Sequence, residues 1–157
     1  MIKLERYTLF KNSLDFDFLI KKSYLDIKNN CSDFDLFVKK TLPEIKKNRS
    51  VIIIYENDEP IGYQTVSIKF KDLSFAFTYI APEKRGNGYS YILREEVVKT
   101  FWNETDRISF TIEKNNIASS KGVHKLIKKY NCDFSTEDVK GVNGKKYEKY
   151  TITKRSN

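Results

Sequence analysis

The apolar residues change from strand spacing to helical spacing at the segment Gly86-Asn87-Gly88. Before it, alternate residues from Leu73 to Tyr79 are apolar, which is the period of a β-strand with one buried face. After it, apolar residues recur at helical spacing from Tyr89 to Phe101. A strand that leads through glycines directly into an amphipathic helix restricts the chain to folds that combine strands and helices around one core.

The same two periods predict the other elements. Strand patterns occur near both ends and in the middle of the chain, at Ile2–Leu9, Val51–Tyr55, Tyr63–Phe70, Ile108–Ile112 and in a final hairpin. Helical spacing occurs from Phe16 to Ile27, in a second stretch through Phe34, Phe37 and Val38, and from Val123 to Tyr130. The predicted order is β-αα-βββ-α-β-α-ββ, an α/β fold. We expect residues 1–157 to form one domain with a mixed, mostly antiparallel central sheet flanked by helices.

Local signals predict where several elements begin and end. Asn12-Ser13 offers an N-cap for the first helix, and residues Ser32–Asp35 open the second. Pro43 should end or restart that second helix, because proline cannot continue the backbone ladder. Asn143-Gly144 predicts a type I′ turn in the final hairpin.

Composition excludes several classes of protein. Hydrophobic residues make up 39% of the 157 and aromatic residues 14%, which is enough apolar surface to build a core. No apolar run approaches the roughly 18 residues of a membrane span, and the N-terminus lacks the apolar stretch of a signal peptide. We therefore expect a cytoplasmic protein without membrane contact. Two distant cysteines, Cys31 and Cys132, and one histidine predict neither a disulfide scaffold nor a metal site.

The basic residues are concentrated near the C-terminus. The formal net charge is +8, and the segment from Ser120 to Asn157 holds ten Lys and Arg against four Asp and Glu. Such a segment attracts polyanions, so nucleic acid is a possible partner. A solvated lysine face explains the pattern as well, and nucleic acid is not the favoured partner.

The segment from Leu73 to Ser90 predicts an anion-binding turn. N–H groups in the first turn of a helix have no intrahelical acceptor, and the helix dipole adds partial positive charge there. Gly86 and Gly88 allow phosphate oxygens to approach the backbone, and Arg85 adds a full charge. The segment lacks the third glycine of a dinucleotide-binding fingerprint and the Gly-Lys-Ser/Thr of a P-loop.

The segment resembles motif A of the GNAT superfamily of N-acetyltransferases, whose pattern is Arg/Gln-x-x-Gly-x-Gly/Ala after a Pro-Glu turn. Arg85, Gly88 and Ser90 occupy its three marked positions, with serine in place of the last small residue. A second block resembles the family's next strand and helix, and it matches at Asn116, Ser119, Lys125 and Leu126. Together the two blocks cover roughly residues 50–135.

The resemblance implies that the chain binds acetyl-CoA or another acyl-CoA, without a metal. The pyrophosphate is expected on the N–H groups of residues Arg85, Gly86, Asn87, Gly88, Tyr89 and Ser90. The pantetheine arm is expected to pair with Tyr79, Ile80 and Ala81, and Asn116 to contact the pantetheine or cysteamine region.

The proton donor is where the sequence departs from the family. Acyl transfer to an amine needs a neutral amine, a polarised carbonyl and a proton for the departing thiolate. In many relatives a tyrosine in the second helix gives that proton, but the matching position here is Val123. His124 follows it, and histidine is a residue type that commonly transfers protons, although one residue turns a helix by about 100°. Glu113, at a strand end, is a candidate base acting through water.

The resemblance predicts an acyltransferase that moves an acetyl group from acetyl-CoA to a primary amine of a small molecule or protein. The acceptor stays open, because Lys pairs are interleaved with Asp residues in residues 10–50. The acidic groups fit a polyamine or an aminoglycoside, the Lys pairs fit RNA or an acidic peptide, and a solvated helix face explains both patterns. A monomer and a homodimer both fit. The alternative is a non-catalytic module that binds CoA or nucleic acid, which Val123 and the basic C-terminal segment favour.

Overall fold

A computed structural model describes residues 1–8, 14–30, 37–41, 43, 50–141 and 144–155 of the chain. Its strands are β1 (Ile2–Thr8), β2 (Ser50–Glu56), β3 (Glu59–Lys69), β4 (Asp72–Ile80), β5 (Arg107–Glu113), β6 (Cys132–Lys140) and β7 (Lys146–Lys154). Its α-helices are α1 (Leu14–Asn30), α2 (Tyr89–Phe101) and α3 (Ile117–Lys129). A five-residue π-helix covers Phe37–Thr41, and a 3₁₀ turn covers Pro82–Lys84.

The seven strands form one sheet in the order β1-β2-β3-β4-β5-β7-β6. Neighbours pair antiparallel in β1–β2, β2–β3, β5–β7 and β6–β7, and the pair β4–β5 is parallel. The parallel ladder covers three residue pairs, from Asp72–Arg107 to Ser74–Ser109. The predicted α/β class with a mixed, mostly antiparallel sheet is confirmed.

Contacts divide the chain into two compact units. The first consists of Met1–Ser67 and Ala76–Val97, and the second of Ile68–Phe75 and Val98–Asn157. Strands β3 and β4 and helix α2 contribute residues to both. The assignment of residues 1–157 to one domain stays a prediction.

The core of the first unit is built from α1 and the central strands. Phe16 and Leu19 of α1 are buried, and Ile20, Tyr24 and Ile27 pack partly buried on the same cluster. This confirms the predicted apolar face of the first helix. The strand residues of the cluster are β-branched or aromatic, types that favour extended backbone: Val51, Ile53, Tyr55, Tyr63 and Tyr79.

The core of the second unit lies on β5, β7 and α3. Ile108, Phe110 and Ile112 alternate along β5 and are buried, as are Tyr150 and Ile152 of β7. Helix α3 buries Val123, Leu126 and Ile127, which recur at helical spacing. The alternating burial in β5 and β7 and the helical spacing of buried residues in α3 are the patterns that the sequence predicts.

Three local predictions differ from the structure. The second helical stretch is a π-helix of five residues, from Phe37 to Thr41, while Phe34 lies outside the described residues. Strand β3 ends at Lys69, and Phe70 is fully exposed because Phe70 and Lys71 form a turn with positive φ angles. The final hairpin is confirmed, but its loop spans the five residues 141–145.

Some predicted signals lie outside the described residues. They are Asn12-Ser13, Ser32–Asp35 and Asn143. Helix α1 begins at Leu14, directly after the predicted cap, and Gly144 has the positive φ of 78° that its turn requires.

Candidate functional site

The predicted anion-binding turn joins β4 to α2. Gly86 and Gly88 have φ angles of +83° and +78°, a left-handed backbone that glycine adopts without steric cost. The N–H of Ile92 donates the first helical hydrogen bond to the carbonyl of Gly88, at 3.2 Å. The N–H groups of the three preceding helical residues, Tyr89, Ser90 and Tyr91, therefore have no intrahelical acceptor.

The surroundings of the two glycines leave room for a ligand. A Cβ built on Gly86 or Gly88 meets no heavy atom of the described residues within 4 Å, beyond its chain neighbours. The side-chain amide of Asn87 donates to the carbonyl of Lys84 at 3.0 Å, so it folds back onto the turn. Residues Gly86, Asn87 and Gly88 are exposed and lie at the N-terminus of α2, where the positive end of the helix dipole suits a phosphate.

The side chain of Arg85 contacts the protein at three points. Its Nε donates to the carbonyl of Ile80 at 2.9 Å, and its Nη2 lies 2.7 Å from the carboxylate of Asp26 in α1. Its guanidinium also lies over the ring of Tyr79, 5.8 Å from the centroid. Arg85 therefore anchors the turn to α1 and to the end of β4, in addition to placing charge beside the turn.

Three more side chains fix the segment around the turn. Lys22 of α1 forms an ion pair with Glu83 at 2.5 Å. Lys84 and Tyr89, one on each side of the glycines, both donate hydrogen bonds to the carboxylate of Glu56 at the end of β2. These two bonds lower the pKa of Glu56 and raise the pKa of Lys84 and of Tyr89.

The end of β4 lies directly against β3. The N–H of Ala81 donates to the carbonyl of Ile61 at 2.8 Å. A Cβ on Gly62 would lie 2.5 Å from the carbonyl oxygen of Tyr79 and 2.7 Å from Cδ1 of Ile80, so only glycine fits this position. The N–H of Ala81 and the carbonyl of Ile80 thus have partners within the protein.

Tyr79 carries a buried hydroxyl. The residue is 3% exposed, and its hydroxyl has no hydrogen-bond partner among the described residues. Burial, with the nearby charge of Asp26, raises the pKa of Tyr79 to about 12. The hydroxyl therefore stays protonated at neutral pH.

The remaining predicted site residues lie in the second unit. Asn116 is the N-cap of α3, and its side chain accepts a hydrogen bond from the N–H of Ser119 at 3.2 Å. Glu113 ends β5 and lines a cavity of about 190 Å³ together with Ile112, Lys114, Ser120, Glu148 and Tyr150. The ammonium of Lys114 is paired with Asp138 at 2.7 Å.

His124 lies on the exposed side of α3. Its ring makes edge-on contacts with Phe134 at 5.6 Å and with Tyr150 at 5.5 Å. Val123, at the position of the family's tyrosine, is fully buried. The two side chains therefore point in different directions, as the rotation of about 100° per residue predicts.

Tyr150 is a candidate that the sequence reasoning missed. It is 2% exposed, and its hydroxyl lies 2.8 Å from the hydroxyl of Ser120. Burial raises the pKa of Tyr150, and a hydrogen bond with Glu148 adds to this. The register that sets Phe110 opposite Tyr150 brings this hydroxyl under α3, and no local pattern indicates that pairing.

Two observations are limited to the described part of the chain. It holds no group of three or more metal-ligating side chains. None of its helices is long and apolar enough to cross a membrane.

Known structures identify the fold. The chain is similar to the ribosomal-protein-S18-alanine N-acetyltransferase of Escherichia coli, with 8% identity, 100% of this chain and 97% of that chain covered, and a TM-score of 0.69. It is also similar to the ribosomal-protein-alanine N-acetyltransferase of Brucella melitensis, with 13% identity, 96% of this chain and 99% of that chain covered, and a TM-score of 0.67. A third similar structure is the PaiA N-acetyltransferase of Thermoplasma acidophilum in complex with coenzyme A. Here the identity is 12%, 95% of this chain and 98% of that chain are covered, and the TM-score is 0.66.

No protein-family model and no curated protein matches the sequence. The structural likeness therefore stands at the level of the fold, and that fold is the GNAT fold, as the two sequence blocks predict.

Proposed function

We propose that the protein is an acyltransferase that moves an acetyl group from acetyl-CoA to a primary amine. One observation carries the proposal: an exposed turn with two positive-φ glycines leads from β4 into the N-terminus of α2, in a chain with the GNAT fold. Such a turn binds phosphate through its backbone, so it fits the pyrophosphate of CoA.

The donor's contacts divide between backbone and side chains. The N–H groups from Gly86 to Ser90 receive the pyrophosphate, because the N–H of Arg85 already donates to the carbonyl of Pro82 at 3.3 Å. The resemblance assigns the pantetheine arm to Tyr79, Ile80 and Ala81. The N–H and the carbonyl of Ala81 and the carbonyl of Ile80 have partners already, so the arm pairs with the remaining backbone groups of that strand end. The resemblance also assigns the pantetheine or cysteamine region to Asn116, whose side-chain oxygen caps α3.

The chemistry needs a base and an acid. Glu113 lines a cavity with hydroxyl groups and can remove a proton from the acceptor ammonium through a water. Tyr150, in the same cavity, holds a proton at neutral pH and is the better proton donor by position. His124, the donor that the sequence suggests, contacts the ring of Tyr150 and lies toward solvent.

Thermal-shift and turnover measurements test the proposal. Acetyl-CoA and CoA should each raise the melting temperature, since a ligand that binds only the native state stabilises it. Release of free thiol from acetyl-CoA, measured with a panel of small amines and peptides, should then identify the acceptor. The variant Asp72→Asn, which changes a surface ion pair with Arg107, is the control. The absence of any shift with either compound would overturn the proposal.

One observation favours a second candidate, a polyanion-binding module. Lys121, Lys125, Lys128 and Lys129 recur along α3 at helical spacing, and all four are exposed. Such a face binds nucleic acid through phosphate contacts, with strong salt dependence. A labelled oligonucleotide that binds with a steep salt slope, in a protein that acetyl-CoA fails to stabilise, would favour this candidate.

The cytoplasm is the proposed compartment. Light scattering after gel filtration would determine whether the protein is a monomer or a homodimer.

A further inference from the structure

The carboxylate of Glu56 binds both sides of the anion-binding turn. Its Oε1 accepts from the ammonium of Lys84, and its Oε2 accepts from the hydroxyl of Tyr89. Lys84 directly precedes the segment 85–88, and Tyr89 directly follows it. One side chain therefore connects the two ends of the segment that carries both positive-φ glycines.

The position of Glu56 makes it a firm anchor. It is the last residue of β2, where the ladder pairs it with Ile2 of β1 and with Glu59 of β3. Its side chain is 22% exposed, so water competes only partly with its hydrogen bonds. The pKa shifts agree in direction, because the charged carboxylate is favoured and both donors hold their protons more tightly.

The turn needs such an anchor. Glycine loses more conformational freedom on ordering than any other residue, and Gly86 and Gly88 flank one residue. A turn that is not held would have to be ordered when a ligand binds, and that cost would reduce affinity. Holding Lys84 and Tyr89 at one carboxylate orders the turn beforehand.

We propose that Glu56 is a positioning residue, which preorganises the turn for the phosphates of the donor through Lys84 and Tyr89. The inference rests on the proposed function, because it concerns the same turn. It assigns Glu56 no contact with the ligand and no part in the chemical step. It therefore predicts an effect on donor affinity and no effect on the rate at saturation.

The test compares four variants by calorimetric titration with CoA and by steady-state kinetics with acetyl-CoA. Glu56→Ala should raise the Kd for CoA and the KM for acetyl-CoA about tenfold, with kcat within twofold of wild type. Tyr89→Phe, which removes one of the two bonds, should raise the Kd about threefold. Glu56→Gln keeps an acceptor for the Tyr89 hydroxyl and should recover part of the loss. Asp72→Asn, the surface control, should bind CoA as wild type does.

A double variant separates positioning from general damage. If Glu56 acts through Tyr89, the variant Glu56→Ala/Tyr89→Phe should bind CoA about as weakly as Glu56→Ala alone. A folded Glu56→Ala protein with unchanged Kd, or one with a lower kcat and unchanged KM, would overturn the inference while CoA binding by the wild type stands. A wild type that does not bind CoA would overturn the proposed function itself.

Discussion

Replacing Arg85 with glutamate tests whether the turn is the phosphate site. The change removes the hydrogen bond to the Ile80 carbonyl and the ion pair with Asp26. It also places a second carboxylate beside Asp26, whose side chain is 12% exposed. Because the arginine side chain is 52% exposed, solvent screening reduces both contributions. We expect the free energy of unfolding to fall by about 2 kcal/mol, measured by urea denaturation.

The same change should weaken donor binding more than a loss of packing would. The new negative charge lies at the positive end of α2, where an anion is expected to bind. An affinity loss of at least about tenfold for acetyl-CoA follows, equivalent to about 1.4 kcal/mol, and calorimetric titration measures it. The experiment is run below the melting temperature of the variant, so that the loss reports binding.

Asp26→Asn is the matched control. Asparagine keeps an oxygen that can accept from Arg85 and removes only the opposing charge, so acetyl-CoA affinity should stay within about twofold of wild type. A folded Arg85→Glu protein that binds acetyl-CoA as the wild type does would refute the assignment of the phosphates to this turn.

Three further predictions concern the core and the chemistry. Gly62→Ala should lower the free energy of unfolding by about 1–3 kcal/mol in urea, since its Cβ would overlap the Tyr79 carbonyl, and an unchanged midpoint would contradict the described packing. Tyr150→Phe should lower kcat by about 100-fold with the KM for acetyl-CoA unchanged, while His124→Ala should keep kcat within threefold; the opposite ranking would make His124 the acid. The pKa of Tyr79 is raised to about 12, above its ordinary value near 10. The free energy of unfolding should therefore be at its full value below pH 10 and should fall as the pH rises from 10 toward 12. In Tyr79→Phe the free energy of unfolding should fall less steeply between pH 10 and 12 than in the wild type. Equal slopes for the two proteins would show that Tyr79 ionises normally.

The sequence predicts the parts of the fold that depend on local spacing. Burial follows every second residue in β5 and β7 and helical spacing in α3, so the period of apolar residues is sufficient there. It is insufficient at Phe70, which continues the strand pattern but lies in a turn, because turn geometry overrides a single apolar residue.

The contacts that hold the site are beyond any local pattern. Glu56 and Tyr89 are 33 positions apart, and Asp26 and Arg85 are 59 apart. Each is a charged or polar residue near the surface, a type that is usually solvated, so the sequence gives no reason to pair them. Tyr150 was missed for a related reason, since only the register of β5 and β7 brings it beside Ser120.

The chain has the GNAT fold at 8–13% identity to the known structures that it resembles. A phosphate site made of backbone N–H groups and a helix dipole requires few specific residues beyond the glycines that shape the turn. Side chains outside the glycines can therefore serve to tie the two ends of the turn to the sheet and the first helix. In this chain those ties are Glu56 with Lys84 and Tyr89, and Asp26 with Arg85. Because the proposed donor site consists of backbone groups, recognition of the proposed amine acceptor must come from side chains outside the turn.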